Sequence, residues 1–281
     1  MEQPTPFIFS RFADETQHPR LNCLCPGFEL KKWRFERLAA HLTDWLPDFA
    51  IRNDNLPPDL INIADYRTLI ETAARRVYNT EKSERRGEIG ELLLHIACRQ
   101  FVGTFPTISK VFYKTATNDV VKGFDLVHTR YDAARDELEL WLGEAKFYTS
   151  GAEAISDAIS SISKHMQAGF MTSEKILLGG KVSSNTPGYS KLEWLFRRDT
   201  PLDEIFHRMV IPVLIAYDTK HAPSYEDDIS YDTAIRAELT SFQAALSKTV
   251  PKEISFYSFY VPMDSKRKLI DAFDAKLGAY L

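Results

Sequence analysis

The sequence lacks any apolar run that approaches the roughly 20 residues needed to span a bilayer, so it does not predict a membrane-embedded protein. Its first residues also lack the basic-then-apolar order of a secretory signal. Cysteine is scarce: there are three residues, an odd number, and Cys23 and Cys25 are too close for an easy bridge. Reduced thiols are therefore expected, and these absences together predict a cytoplasmic protein.

A net positive charge is also lacking, because the formal net charge is −4. This argues against a protein that coats nucleic acid by bulk attraction, although an enzyme needs only a local basic cleft. Familiar catalytic signatures are missing as well. The sequence contains no His-Glu-x-x-His zinc motif and no Gly-x-Ser-x-Gly turn, and Gly179-Gly180-Lys181 lacks the rest of a phosphate-binding loop.

Hydrophobic periodicity and turn residues predict alternating helices and strands, with residues 1–60 read as loops around one helix at Leu30–Trp45. Further predicted helices are Ile63–Tyr78, Ser83–Phe101, Ala152–Met171, Tyr231–Lys248 and Ser265–Tyr280. Predicted strands are Thr107–Lys114, Gly123–Thr129, Glu137–Tyr148, Met209–Tyr217 and Ile254–Val261. This order predicts an α/β fold with a mixed β-sheet flanked by helices. A core at residues 81–281 would follow an N-terminal helical region at 1–80.

The hairpin formed by the second and third predicted strands contains the candidate catalytic residues. Alternate residues of a strand share a face, and on the later strand a row of leucines ends in Glu144 and Lys146. A turn centred between Ala134 and Arg135 would place Asp125 opposite Glu144. Facing carboxylates cost roughly 0.2–1 kcal/mol even on an exposed sheet. A broken local rule of this kind indicates a functional site, and a bound Mg²⁺ would relieve the repulsion.

Other acidic-x-Lys tripeptides compete with Glu144–Lys146. They are Glu29–Lys31, Asp218–Lys220, Asp264–Lys266 and Asp274–Lys276. Asp218–Lys220 is the serious competitor because it ends an apolar strand, but no acidic residue on an adjacent hairpin strand precedes it. A solvated strand end remains the alternative interpretation of Glu144–Lys146 itself.

The helix before the hairpin carries Glu88, Glu91 and His95 beside its apolar face. Gly87 and Gly90 each cost about 1 kcal/mol relative to alanine in a helix. Two such residues indicate that another backbone segment or a ligand comes close to this helix. A packing constraint would also explain the glycines, and a solvated helix face would also explain the glutamates.

A family resemblance enters here. The order Gly87-x-x-x-Glu91, Gly123-Phe124-Asp125, Glu144-Ala145-Lys146 resembles the signature of PD-(D/E)xK nucleases, which implies a restriction-endonuclease-like core. Longer strings resemble the AbpA/HamA family of bacterial anti-phage proteins, in which HamA is the nuclease subunit of the Hachiman system. They are RGEIGELLLH, KGFDLVH and LWLGEAKFY.

The resemblance implies a DNA-cleaving enzyme with Mg²⁺ or Mn²⁺ as its cofactor. Asp125, Glu144 and the carbonyl of Ala145 would bind the metal, and Glu91 would complete its shell, with Glu88 as the alternative. Lys146 would orient or help deprotonate the attacking water. The resemblance also implies a helicase partner, HamB or AbpB.

Nucleic-acid contacts are expected near the hairpin. The candidates that would guide the DNA backbone are Lys110, Lys114 and Lys122. Lys164 and His165 on the following helix would either contact a phosphate or lie on a solvated face. Two other functions stay open: an RNase on the same scaffold, and a catalytically inactive nuclease-like adaptor that docks the helicase.

Overall fold

Strands that are apolar at nearly every position pair at the centre of the molecule, as burial on both faces of a sheet requires. In the computed structural model, which describes residues 7–51, 63–78, 87–108 and 123–281, seven strands form one mixed sheet. They are β1 (Phe9–Asp14), β2 (Arg20–Cys25), β5 (Phe105–Ile108), β6 (Leu126–Asp132), β7 (Glu137–Phe147), β8 (Met209–Asp218) and β9 (Ser255–Met263). A separate hairpin pairs β3 (Phe28–Glu29) with β4 (Lys32–Trp33).

The strand order is β1-β2-β9-β8-β7-β6-β5. The pairs β2–β9, β9–β8 and β8–β7 are parallel, whereas the outer pairs are antiparallel. Strand β8 lies at the centre and is buried from Met209 to Tyr217. The predicted mixed sheet is therefore confirmed.

Helices cover both faces of this sheet. They are α1 (Phe35–Asp44), α2 (Leu46–Ala50), α3 (Ile63–Tyr78), α4 (Gly87–Ala97), α5 (Gly151–His165), α6 (Ala168–Gly179), α7 (Tyr189–Leu195), α8 (Leu202–Arg208), α9 (Asp228–Thr249) and α10 (Lys266–Gly278). A π-helical turn, Cys98–Val102, extends α4. Within the described ranges, none of the helices combines the length and the apolar character that crossing a bilayer requires.

Helix α4 packs so closely on β7 that a side chain at Gly90 would crowd the strand. A Cβ atom there would lie 3.0 Å from the Cβ atom of Phe147. Gly87, one turn earlier, has nothing within 4 Å of such an atom and lines an open cleft. Packing thus accounts for Gly90 but not for Gly87.

The β6–β7 hairpin has the predicted register. Leu126 lies opposite Gly143, and the Asp125 backbone N–H donates to the Gly143 carbonyl at 2.8 Å. The register centres the turn between Ala134 and Arg135, as predicted. The ladder ends at Leu126, so Asp125 lies one residue before it and the predicted pairing with Glu144 stays a prediction.

The N-terminal prediction of loops around one helix is wrong for much of residues 9–33, so the region is not purely helical. Strands β1 and β2 extend the main sheet beyond β9, and α1 begins at Phe35 after the β3–β4 hairpin. Strand β2 has no alternation of polar and apolar residues, because every residue from Leu21 to Cys25 is buried. A short strand that is buried on both faces leaves no period for the sequence to display.

Elsewhere the predicted boundaries shift. The predicted helix Ala152–Met171 is divided into α5 and α6, and the short helices α7 and α8 went unpredicted. Residues 79–86 and 109–122 lie outside the described residues, so the start of the predicted helix Ser83–Phe101 and most of the strand Thr107–Lys114 are not described.

Gly143 offers a test of how tightly α4 packs on the hairpin. A Cβ atom there would lie 2.8 Å from Leu94 Cδ2 and 3.0 Å from both Leu126 Cβ and Pro212 Cγ. Gly143→Ala should lower the free energy of unfolding by about 1–3 kcal/mol, the usual cost of overpacking a core. Chemical denaturation measures this. Gly169→Ala, where a Cβ atom meets nothing within 4 Å, is the matched control and should not destabilise the protein. Equal effects at both sites would contradict the close packing.

Candidate active site

A cleft of about 410 Å³ opens where β7 ends, between α4 and the start of α10. Its lining residues are Gly87, Glu91, Asp125, Ala145, Lys146, Phe147, Tyr148 and Lys266. Four residues predicted to act together, namely Glu91, Asp125, Ala145 and Lys146, therefore border one space. Glu88 does not line it, which favours Glu91 over Glu88 for the role on this helix.

Lys146 is buried despite its charge, with an exposed fraction of 8%. Its Nζ atom lies 2.8 Å from Glu144 Oε1, 2.7 Å from Asp157 Oδ2 and 2.9 Å from Ser161 Oγ. These contacts satisfy the three donors of the ammonium group. Burial alone would lower the pKa of Lys146, but the carboxylates of Glu144 and Asp157 outweigh burial and raise it. Lys146 therefore keeps its proton at neutral pH.

Glu144 is buried as well, with 6% of its surface exposed, so the alternative of a solvated strand end is wrong. Burial and the charge of Asp125 raise the pKa of Glu144 to about 7, although Lys146 acts in the opposite direction. The second carboxylate oxygen, Oε2, lies 3.6 Å from His165 Nδ1. Lys146 therefore offsets only part of the effect that burial and Asp125 have on Glu144.

Asp125 is fixed in place by the strand opposite. Its Oδ2 atom accepts a hydrogen bond from the Ala145 backbone N–H at 3.0 Å. Glu91 approaches from α4, whereas Glu144 lies on the α5 side, where it contacts Lys146. Among the residues that the structure describes, no three His, Cys, Asp or Glu side chains converge as a metal site. Direct ligation by Glu144 therefore stays a prediction.

Helix α5 contributes two residues that the sequence interpretation missed, Asp157 and Ser161. Both contact Lys146, and Asp157 Oδ2 also accepts a hydrogen bond from the Tyr148 hydroxyl at 2.8 Å. With His165 they form a stripe at a spacing of four residues, which places them on one side of the helix. That stripe, beside the buried Ala154, Ala158 and Ile162, was the signal that could have found them.

The predicted nucleic-acid contacts fall in different places. Lys164 is exposed, but His165 is buried, with its ring stacked on Phe170 at 4.4 Å and tilted against Phe124 at 4.4 Å. A solvated face is therefore wrong for His165, which packs behind Glu144. The three lysines proposed to flank the hairpin lie outside the described residues; they are Lys110, Lys114 and Lys122.

A buried polar chain connects α2 to the sheet beneath the site. His95 links Asp48 to His128, at 2.9 Å and 3.1 Å, and Thr104 Oγ1 lies 2.8 Å from His128 Nδ1. Burial and the charge of His95 lower the pKa of His128 well below its ordinary value, so its ring is neutral. The chain fixes α4 one turn after Glu91. His128 therefore has a structural role in this chain of contacts.

The rival tripeptide Asp218–Lys220 serves a structural purpose. Asp218 Oδ1 accepts a hydrogen bond from the Lys266 backbone N–H at 2.5 Å, which caps the start of α10. Lys220 is exposed. Asp218 therefore stabilises the start of a helix and does not form a second catalytic pair with Lys220.

Comparison with known proteins identifies the family. The HamA family profile matches residues 6–277. The chain belongs to the HamA family. It is also 23% identical over 261 residues to anti-bacteriophage protein A of Escherichia coli (strain K12), an alignment that covers 89% of this chain and 46% of that relative. The chain thus spans about half the length of the curated relative. The matched HamA region includes every residue that lines the cleft.

The raised pKa of Glu144 predicts how stability depends on pH. The pKa of Glu144 is about 7 in the folded protein and 4.5 ordinarily. The contribution of this carboxyl group to the free energy of unfolding is therefore full below about pH 4.5 and is lost as the pH rises through 7. Relative to wild type in a chelator, Glu144→Gln should gain unfolding free energy on the order of 1–3 kcal/mol between about pH 5 and pH 8. Denaturant titrations at several pH values measure the difference.

Glu137→Gln is the matched control, because it makes the same change at the exposed start of β7. Its pH profile should run parallel to that of wild type. A parallel profile for Glu144→Gln as well would contradict the conclusion that the buried carboxylate is destabilised by charge.

Proposed function

We propose that the chain is a metal-dependent nuclease that hydrolyses DNA phosphodiester bonds in defence against bacteriophages. The observation that carries this proposal is a buried lysine, Lys146, held by Glu144 and Asp157 at a cleft that Glu91 and Asp125 also border. Ionisable groups with shifted pKa values that gather in a cleft are typical of functional sites. The name of the relative, anti-bacteriophage protein A, supports the biological setting.

The residues present fit a hard divalent cation. Mg²⁺ and Mn²⁺ prefer oxygen donors, and Asp125, Glu91 and the Ala145 carbonyl supply them at the cleft, with Glu144 directly behind. The charge of Asp125 already raises the pKa of Glu144, and a cation would offset that repulsion. When bound, the ion would polarise the phosphodiester and stabilise charge on the leaving oxygen.

Lys146 acts as a charged donor in this proposal. Its raised pKa makes proton abstraction unfavourable, so the ammonium group orients the attacking water and stabilises negative charge that develops at phosphorus. Asp157 and Ser161 hold its Nζ atom in position. Water then forms the new bond to phosphorus as the bond to the leaving oxygen breaks, and the proton that the water releases passes through solvent to the leaving oxygen.

A helicase partner belongs to the same proposal. A net charge of −4 provides little long-range attraction for DNA, so an enzyme of this kind benefits from receiving its substrate from another protein.

Lys146→Ala is the direct test. Supercoiled DNA, linear DNA and RNA are incubated with the protein and Mg²⁺, with and without a helicase and with and without chelator. Wild type should cleave DNA only when the metal is available. Lys146→Ala should lower the rate by at least about 100-fold, since removal of one charge-stabilising group commonly costs 10²–10³.

Lys220→Ala is the matched control, because it removes the lysine of the rival tripeptide and should keep the wild-type rate. Intact DNA in every reaction, together with unchanged phage resistance in cells that carry Lys146→Ala, would exclude the nuclease and favour an adaptor. Cleavage of RNA in place of DNA would replace the proposed substrate.

A further inference from the structure

We propose that Asp48 is a positioning residue of the metal site: through His95 it holds helix α4 so that Glu91 faces the cleft. The inference rests on the proposed nuclease function and extends it to the N-terminal region. Among the described residues that line the cleft, none lies in α2, which carries Asp48. An effect of Asp48 on metal binding would therefore pass through α4.

The contacts of Asp48 belong to a closed polar ring. Asp48 Oδ2 accepts hydrogen bonds from His95 Nε2 and Arg99 Nε, both at 2.9 Å. Arg99 Nη1 donates to the Thr104 carbonyl at 2.8 Å, and Thr104 Oγ1 lies 2.8 Å from His128 Nδ1. A contact of 3.1 Å between His128 Nε2 and His95 Nδ1 closes the ring. Each member is therefore held from two sides.

The backbone of α4 changes form where it meets the polar ring. The α-helix ends at Ala97 and continues as the π-helical turn Cys98–Val102, which is followed by Gly103 at φ 72°. Single π-helical turns are rare and occur frequently at functional sites. This turn carries Arg99 and ends just before Thr104, so it places both residues in the ring.

The polar ring lies largely in the interior, where polar groups are costly unless they are bonded. Thr104, His128 and His95 have exposed fractions of 0%, 2% and 3%. When every link is made, such a network fixes one arrangement of the elements that carry it, because breaking one link leaves another buried group unsatisfied. Burial would raise the pKa of Asp48, but the hydrogen bond from His95 and the charges of His95 and Arg99 outweigh burial and lower it. Asp48 therefore stays a carboxylate and accepts from both donors.

Glu91 and Asp125 separate the polar ring from the cleft. Both residues line the cleft, and both also line a second cavity of about 20 Å³ that His95 and His128 border. Glu91 precedes His95 by four residues, so the two side chains lie on one side of α4. A cavity that holds no more than about one water molecule leaves Glu91 little room to withdraw from the cleft. The ring thus backs the carboxylate that α4 contributes.

The position of Glu91 matters because Mg²⁺ demands near-ideal octahedral geometry. Groups that hold a metal ligand in place typically change metal affinity by about 10–100-fold when they are removed, although they do not touch the ion. Asp125 is held independently, by the Ala145 N–H of β7. A shift of α4 would therefore move Glu91 relative to Asp125 and weaken the binding of a cation between them.

The test measures metal binding directly, without DNA and without activity. Isothermal titration calorimetry gives the Kd of Mn²⁺. Asp48→Asn, which keeps the size of the side chain and removes its charge, should raise this Kd about tenfold. In a Glu91→Gln background the same substitution should change the Kd by less than about twofold, because the carboxylate that Asp48 positions is then absent.

Gln243→Ala is the matched control, because it also breaks a buried polar network. Gln243 Nε2 donates to the Pro19 carbonyl at 2.9 Å, and Gln243 Oε1 accepts from the Tyr260 hydroxyl at 2.8 Å. These residues are not among those that line the cleft. Gln243→Ala should lower the free energy of unfolding in chelator, as Asp48→Asn does, yet leave the Mn²⁺ Kd within about twofold of wild type.

Thr104 provides a second pair of variants where Asp48→Asn does not fold. Thr104→Val keeps the volume of the side chain and removes its hydroxyl group from the polar ring, whereas Thr104→Ser keeps the hydroxyl group. Thr104→Val should raise the Mn²⁺ Kd several-fold, and Thr104→Ser should bind Mn²⁺ as wild type does.

Four results would overturn the inference. They are wild type that binds no Mn²⁺, an unchanged Kd in Asp48→Asn (or in Thr104→Val where the former does not fold), an equal loss in Gln243→Ala, and an equal effect of Asp48→Asn with and without the Glu91 carboxylate. If Mn²⁺ binding depends on Asp48 as predicted but wild type leaves DNA intact, the positioning role stands and the nuclease proposal falls. If wild type cleaves DNA while Asp48→Asn keeps the wild-type Kd, the positioning role falls and the nuclease stands.

Discussion

The pairing of β6 with β7 is the constraint on which the site depends. The ladder ends with Leu126 opposite Gly143, and two hydrogen bonds then hold Asp125 against β7: its N–H donates to the Gly143 carbonyl, and its carboxylate accepts from the Ala145 N–H. The charge of the partly exposed Asp125 thereby acts on the carboxylate of Glu144, which is buried where charge is costly. Lys146 offsets part of this cost. The remainder appears as the raised pKa of Glu144, and the proposed divalent cation follows from it.

The rest of the fold supports that strand end from three directions. Helix α4 packs through Gly90 and brings Glu91 to the cleft, while α5 holds Lys146 through Asp157 and Ser161. Helix α10 closes the third side. Because β8 carries the Asp218 cap of α10 and also pairs with β7, the position of Lys266 is tied to that of the catalytic strand. Helices and strands therefore carry Glu91, Glu144 and Lys146, and Asp125 lies directly before β6.

Much of this arrangement could be predicted from the sequence where a period or a turn signal was present. The hairpin register followed from a turn centred between Ala134 and Arg135, and β8 followed from its apolar run. Strand β2 could not be predicted, because a short strand that is buried on both faces shows no alternation. Asp157 and Ser161 were missed because their contacts with Lys146 come from a helix that folds back onto β7. Such contacts depend on tertiary packing, which local sequence does not display.

The central claim is that the carboxylate of Glu144 is destabilised by burial and by Asp125, and that a divalent cation relieves this. The most direct measurement is the pKa of Glu144 from a ¹³C carboxyl NMR titration, first in chelator and then with saturating Mg²⁺. The account predicts a pKa of about 7 without metal and a fall to the ordinary 4.5 or below with it. An ordinary pKa in chelator, or a raised pKa that Mg²⁺ leaves unchanged, would contradict it.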